Sequence, residues 1–381
     1  MDIHSKLPHV GTTIFTVMSA LAQQHNAINL SQGFPNFPTS EELHRLVYEY
    51  MQKGYNQYAP MAGVPLLRQR IADKIAGMYG VAVDPESEIT ITAGGTQALF
   101  SAITAFIRPH DEVILFEPAY DSYAPSVEVN GGKVIPYILQ APDYQADWIK
   151  VAQLITPRTR MIIVNTPHNP TGTVMKAADL EALERLTAGT NILALSDEVY
   201  EHLIFDGLSH QSVLRYPDLR ARSLAVYSFG KTFHHTGWKI GYCVAPPELT
   251  AEFRKVHQFN VFAVNTPIQH ALADFMANPE EYLSLPGFYQ QKRDFFLRAM
   301  AGSRLRPLPC EGTYFQLVDY SAVSDEPDVQ FVRSLITDAG VAAIPVSVFY
   351  SGQVPGDRVI RLCFAKTEET LQQAGELLRQ I

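Results

Sequence analysis

Between residues 89 and 244 the chain alternates short apolar runs with longer stretches whose apolar residues recur every three to four positions. Residues 89–92, 112–116, 161–165, 192–196, 224–228 and 239–244 read as strands. Several of these are rich in Val and Ile and apolar on both faces, the pattern of a sheet covered by helices on either side. Between them lie helical patterns such as 96–107, with Leu99, Ile103 and Phe106 on one stripe. Such alternation predicts an α/β fold with a mainly parallel central sheet. The chain ends read differently. Thr39, with Glu42 three residues on, predicts a capping box that opens a helix. The last third carries helices, a few strands and an amphipathic terminal helix through Glu368, Leu371, Ala374, Leu377 and Leu378. The expected organisation is a large domain over 40–275 and a smaller α+β domain made from 1–39 and 276–381.

A length of 381 residues is enough for a large core and too much for one small domain. With 46% hydrophobic and 18% charged residues the chain belongs with globular rather than disordered proteins. A net charge of -9 argues against a nucleic-acid partner, because phosphate neutralisation needs a basic surface. Small anions remain possible ligands, since local cations and helix N-termini set the field inside a pocket. Cys243, Cys310 and Cys363 lie far apart, which fits a reducing compartment and offers no zinc framework. The start lacks the layout of a secretory leader, and no apolar run is long enough to span a bilayer. The expectation is a soluble cytoplasmic protein without a membrane partner.

Four short stretches carry chemistry. In residues 228–242, Lys231 follows a strand and sits among small and aromatic residues. Burial there would disfavour the ammonium form and make the amine a nucleophile and proton carrier, although a surface turn with incidental cations fits the same residues. Ser228 and Lys239 could converge on one phosphate. Asn169-Pro170-Thr171-Gly172 is a plain turn signal that also offers an amide to a ring oxygen. Asp197, in Ser196-Asp197-Glu198-Val199-Tyr200, ends a strand on the side where α/β sheets bind ligands. It could keep a pyridine nitrogen protonated or cap the following segment. Gly94-Gly95-Thr96-Gln97 joins a strand to a helix, either as a tight turn or as a phosphate cradle.

Taken together and in this order, these segments resemble the fold-type I, class I/II aminotransferases, in the branch of the kynurenine and methionine enzymes. The resemblance runs from Asn29-Leu30-Ser31-Gln32-Gly33 to Arg361-Leu362-Cys363-Phe364. It implies pyridoxal 5'-phosphate held as a Schiff base on Lys231, with Asp197 partnering the ring nitrogen and Asn169 and Tyr200 holding the phenolic oxygen. It gives the phosphate to Gly95, Thr96, Ser228 and Lys239, with Gln97 nearby and Tyr120 stacked on the ring. Lys239 stands where the wider family often has arginine, so the charge is kept and the bidentate fork is lost. The resemblance makes Tyr58 a contact to the phosphate of a neighbouring subunit, hence a homodimer with shared active sites. Arg361 would clamp the substrate α-carboxylate, a group suited to its planar fork, and Gly33 would let that carboxylate approach the backbone.

The implied reaction moves an amino group from an L-amino acid to a 2-oxo acid in two half-reactions, with Lys231 shuttling the α-proton. Phe15 and Phe262 match aromatic positions of the side-chain pocket, though ordinary core roles fit them as well. Ala263 stands where some kynurenine aminotransferases have histidine, which weakens the kynurenine reading. Methionine is the expected first donor, then phenylalanine, tyrosine and leucine. The same apparatus could instead run β-elimination from cysteine conjugates, and a non-catalytic regulator is a third reading. Its acidic charge and filled catalytic positions argue against that one.

Overall fold

The computed structural model describes residues 4–352 and 355–381. Its central sheet has seven strands: β1 (Ile89–Thr92), β2 (Glu112–Glu117), β3 (Lys133–Ile138), β4 (Thr159–Asn165), β5 (Leu193–Asp197), β6 (Ser223–Ser228) and β7 (Gly241–Val244). They lie in the order β3-β2-β4-β5-β6-β7-β1, parallel except that β7 runs antiparallel to both β6 and β1. Apolar residues on successive positions serve opposite cores. Val113, Leu115, Ile163 and Leu195 pack on one side with the helix Gly94–Phe106, while Ile114, Phe116, Ile162 and Val164 pack on the other. This two-sided burial is why the strands read as continuous apolar runs.

Strand β3 has no counterpart among the sequence expectations. It is the edge strand, with Lys133 and Pro136 exposed, so it lacks a clean apolar run. The run expected from 239 begins as a strand only at Gly241, because Lys239 has a left-handed backbone (φ 56°) that turns the chain before β7. The helix expected over 96–107 begins two residues earlier, at the glycines. The expected capping box is not formed. The helix Glu41–Gln52 follows Ser40, the Thr39 hydroxyl donates instead to the carbonyl of His234 at 3.0 Å, and Glu42 pairs with Arg45.

A second sheet is antiparallel and contains β8 (Arg306–Pro307), β9 (Phe315–Asp319), β10 (Ile344–Pro345) and β11 (Val359–Cys363), in the order β10-β11-β9-β8. The helices Leu285–Ala299 and Glu368–Leu378 cross closely, since a Cβ on Gly375 would lie 2.6 Å from Ala299. Both chain ends meet here. Ile28–Asn29 pairs in parallel with Val341–Ala342, and the Leu30 carbonyl accepts from the Cys363 amide at 2.8 Å. Among the described residues no helix is long and apolar enough to cross a membrane.

Candidate active site

The parallel strands β4, β5 and β6 end at Asn165, Asp197 and Ser228, and all three face one cavity of about 300 Å³. The second sheet contributes Phe315 and Arg361 to its opposite wall, and the N-terminal segment adds Phe15, Gln32 and Gly33. A ligand site outside the carboxyl ends of parallel strands is where α/β sheets place them.

One end of the cavity is built for an anion. Gly94 takes φ +80° at the start of the helix Gly94–Phe106, whose first amides and dipole face the cavity. A Cβ on Gly94 would lie 3.5 Å from Lys239 Nζ, and one on Gly95 would lie 3.0 Å from Val199 Cγ1. Behind the turn, a Cβ on Gly241 would lie 2.5 Å from the Tyr227 carbonyl and 3.0 Å from the Gly94 carbonyl carbon. Thr96, Ser228 and Lys239 line this end, and the Thr96 and Tyr120 hydroxyls stand 3.1 Å apart. The Gln97 side chain turns elsewhere, accepting from the Ala93 amide and meeting Ser101 and His257.

In the middle lies Asp197, which accepts from the Tyr123 hydroxyl at 2.6 Å and the Val199 amide at 3.3 Å. Burial pushes its carboxyl up to about 6. Such a group gains most from a cation placed beside it. Tyr200 is buried, and burial raises its phenol well above the ordinary range, so the hydroxyl keeps its proton. Asn169 accepts from Arg361 Nη1 at 2.7 Å through its amide oxygen, so its NH₂ can donate to a ligand.

Lys231 sits in the short helix Phe229–Thr232 directly after β6. Its amine donates to the Tyr314 hydroxyl at 2.8 Å and to the Gly33 carbonyl at 3.2 Å. Burial pushes this amine down to about 8, with Arg361 and Lys239 contributing in the same direction. The neutral, nucleophilic form is therefore accessible near neutral pH. Arg361, on β11, is 2% exposed and lies 3.8 Å from the Phe315 ring centre, with Phe349 and Phe15 farther out at 5.1 and 5.4 Å. Its Nη2 donates to the Ser31 carbonyl at 3.3 Å, while Nε is buried without a partner among the described residues. An unpartnered guanidinium N–H beside a cavity is suited to an incoming carboxylate.

Tyr58 and Phe262 do not join the cavity. They meet edge to face at 5.1 Å on the surface, where Tyr58 is 82% exposed, and Phe262 takes φ +69°. Tyr123, Tyr314 and Phe315 are in the site although sequence reasoning gave them no role. Tyr123 lies three residues after Tyr120, which the resemblance had placed on the ring, whereas Tyr314 and Phe315 come from the start of the distant strand β9 and carry no local signal. Among the described residues no cluster of His, Cys, Asp or Glu could hold a metal ion. A group with an anionic end, a cationic ring nitrogen and an electrophilic carbon fits the glycine cradle with Lys239, the buried Asp197 carboxylate and the Lys231 amine.

Comparison with known proteins agrees. Residues 25–378 match the family described as aminotransferase class I and II. The chain is 57% identical to a methionine aminotransferase of Escherichia coli, covering 99% of this chain and 98% of the relative. It is 34% identical to human kynurenine–oxoglutarate transaminase 1, covering 94% and 93%. The crystal structure of a methionine aminotransferase from Escherichia coli superposes with a TM-score of 0.98 over the full length of both chains at 56% identity. An aspartate aminotransferase from Thermus thermophilus with maleate reaches 0.91 at 31% identity, again over both full chains. The chain belongs to the class I and II aminotransferases, an α/β enzyme of fold type I that transfers amino groups with pyridoxal 5'-phosphate.

Proposed function

We propose that this aminotransferase takes methionine as its preferred amino donor, accepts phenylalanine, tyrosine and leucine less well, and passes the amino group to a 2-oxo acid. The observation that carries the site assignment is the convergence of the Lys231 amine, the Asp197 carboxylate and the Arg361 guanidinium, from three separate elements, on one cavity. Pyridoxal 5'-phosphate, when bound, supplies an electron sink for negative charge at the substrate α-carbon. The turn at Gly94 and Gly95, with Thr96, Ser228 and Lys239, holds its phosphate. Asp197 keeps the ring nitrogen cationic, and Asn169 and Tyr200 hold the ring oxygen while Tyr120 packs on the ring face. Arg361 orients the substrate through its carboxylate beside Gly33. The Lys231 amine, once free and neutral, would take the proton from the substrate α-carbon and hold it as an ammonium on that face of the cavity.

Donor choice rests on the walls. Phe15 and Phe315 line the cavity beside Arg361 and offer a thioether or an apolar side chain aromatic contact. The relative at 57% identity bears the name methionine aminotransferase, which supports the same donor. Tyr58 and Phe262 lie side by side on the surface and outside the cavity, and we assign them to the site of a second copy in a homodimer. The donor assignment is tested by kcat/KM across methionine, phenylalanine, leucine, kynurenine and aspartate with one 2-oxo acid. Methionine should stand highest, and aspartate should fall about 100-fold lower because its carboxylate would be desolvated against aromatic walls. Aspartate equal to methionine would refute the donor assignment.

A further inference from the structure

The amine of Lys231 is held by a residue that the amino-transfer scheme above does not use. Tyr314 is fully buried, and its hydroxyl donates to the Gly33 carbonyl at 2.5 Å while accepting from Lys231 at 2.8 Å. Lys231 donates to the same carbonyl at 3.2 Å, which closes a triangle of amine, phenol and backbone oxygen. Each corner is fixed. The Tyr314 ring lies between Tyr200 and Tyr289, with ring centres 5.2 and 5.9 Å away. The carbonyl of Tyr314 accepts from the Phe364 amide at 2.9 Å. Gly33 has no room for a Cβ, which would lie 2.7 Å from Phe315 Cζ. Thr313, just before Tyr314, takes φ +68°, a strained backbone for a β-branched residue. That turn delivers the phenol to the amine.

We propose that Tyr314 is a positioning residue that, with the Gly33 carbonyl, forms the resting place of the free Lys231 amine during amino transfer. The inference rests on Lys231 being the amine that joins the cofactor. After the substrate displaces it, a lysine side chain would otherwise explore several rotamers. Two fixed hydrogen bonds hold its nitrogen on one side of the cavity, within reach of the α-carbon. The phenol suits both protonation states. Its oxygen accepts from the ammonium, and its O–H stays satisfied on Gly33 or turns to the lone pair of the neutral amine. Burial raises the Tyr314 phenol well above the ordinary range, so it remains a neutral partner. The other titratable side chains that act on Lys231 are Cys363 and Arg361 on β11, Lys239 before β7, and Asp197 on β5, and Tyr314→Phe replaces none of them.

The test uses Tyr314→Phe beside wild type, Lys231→Ala and a control, Tyr289→Phe, whose hydroxyl meets His234 rather than the lysine. The cofactor-free chain is mixed with pyridoxal 5'-phosphate, and the rate of covalent capture is followed against pH. Only the unprotonated amine adds to the aldehyde, with loss of water, so the midpoint of the profile reports the amine. Loss of the acceptor for the ammonium should lower that midpoint by about one pH unit in Tyr314→Phe and leave Tyr289→Phe like wild type. In the loaded enzyme, the isotope effect with α-deuterated methionine should rise for Tyr314→Phe alone. An unshifted midpoint in Tyr314→Phe, or an equal shift in Tyr289→Phe, overturns the proposal. Covalent capture by Lys231→Ala would instead overturn the reading of Lys231 on which it rests. If Tyr314→Phe does not fold, the slowly exchanging hydroxyl proton of Tyr314 is compared by NMR between wild type and Lys231→Ala. A changed shift supports the triangle and an unchanged one overturns it.

Discussion

At the scale of the residue, the side chains most committed to chemistry are those whose surroundings are least favourable in the chain alone. Asp197 is buried, and its carboxyl is raised from 3.8 to about 6. A raised acid is bound more tightly to its proton in the folded chain, so its contribution to stability is fully present below about pH 4 and lost as pH rises through 6. Asp197→Asn should therefore stabilise the cofactor-free chain at pH 8 by about 2 kcal/mol, and by little at pH 4. The same change should weaken cofactor binding, because the cationic ring nitrogen loses its partner. Urea unfolding at the two pH values checks the first statement, and a variant less stable than wild type at pH 8 would contradict it. Much of this was legible in the sequence, since Lys231, Asp197, Asn169 and Arg361 all face the cavity. Tyr314 was not legible, because its meaning depends on a neighbour 83 residues earlier in the chain.

At the scale of the element, glycines and strand ends decide where those side chains go. The segment Ser196 to Glu201 reads as one string, but the fold divides it. Asp197 and Tyr200 line the cavity, whereas Glu198 meets His210 and Tyr227 and Glu201 pairs with Lys74 in the buried layer behind. Those buried partners fix the backbone from which Asp197 and Tyr200 project. Strand positions in the core were readable because two-sided burial leaves an apolar run, while edge strand β3 was not. The capping box failed because tertiary contact with His234 claimed the Thr39 hydroxyl. Strand β7 presses on the anion cradle through Gly241, where a side chain would meet the Tyr227 carbonyl and the Gly94–Gly95 backbone. Gly241→Ala should cost about 1–3 kcal/mol in urea unfolding. It should also weaken cofactor binding by displacing the cradle. Unchanged stability together with unchanged cofactor affinity would show that the turn is not held from behind.

At the scale of the whole molecule, the cavity joins a sheet from the middle of the chain to a sheet and loops from its two ends, so amino transfer depends on long-range assembly. The sequence indicated the central sheet and a few strands in the last third, yet not the cage of Phe315, Phe349 and Phe15 around Arg361, which arises only when distant segments meet. The exposed pair Tyr58 and Phe262 extends the argument to a second copy. If Tyr58 serves the neighbouring site, mixing refolded Tyr58→Ala and Lys231→Ala chains should give activity above the sum of the two parents, because each hybrid contains one intact site. Purely additive activity, with hybrids demonstrably present, would place Tyr58 outside the shared site. The central claim is that Lys231 holds the cofactor and releases it to methionine. The most direct measurement is the visible absorption of the protein with pyridoxal 5'-phosphate, before and after L-methionine, for wild type and Lys231→Ala. The account predicts a lysine-linked cofactor band, fixed covalently on residue 231 by borohydride, that methionine abolishes and that Lys231→Ala lacks. A borohydride-fixed cofactor on another lysine, or a wild-type band that methionine leaves unchanged, would contradict it.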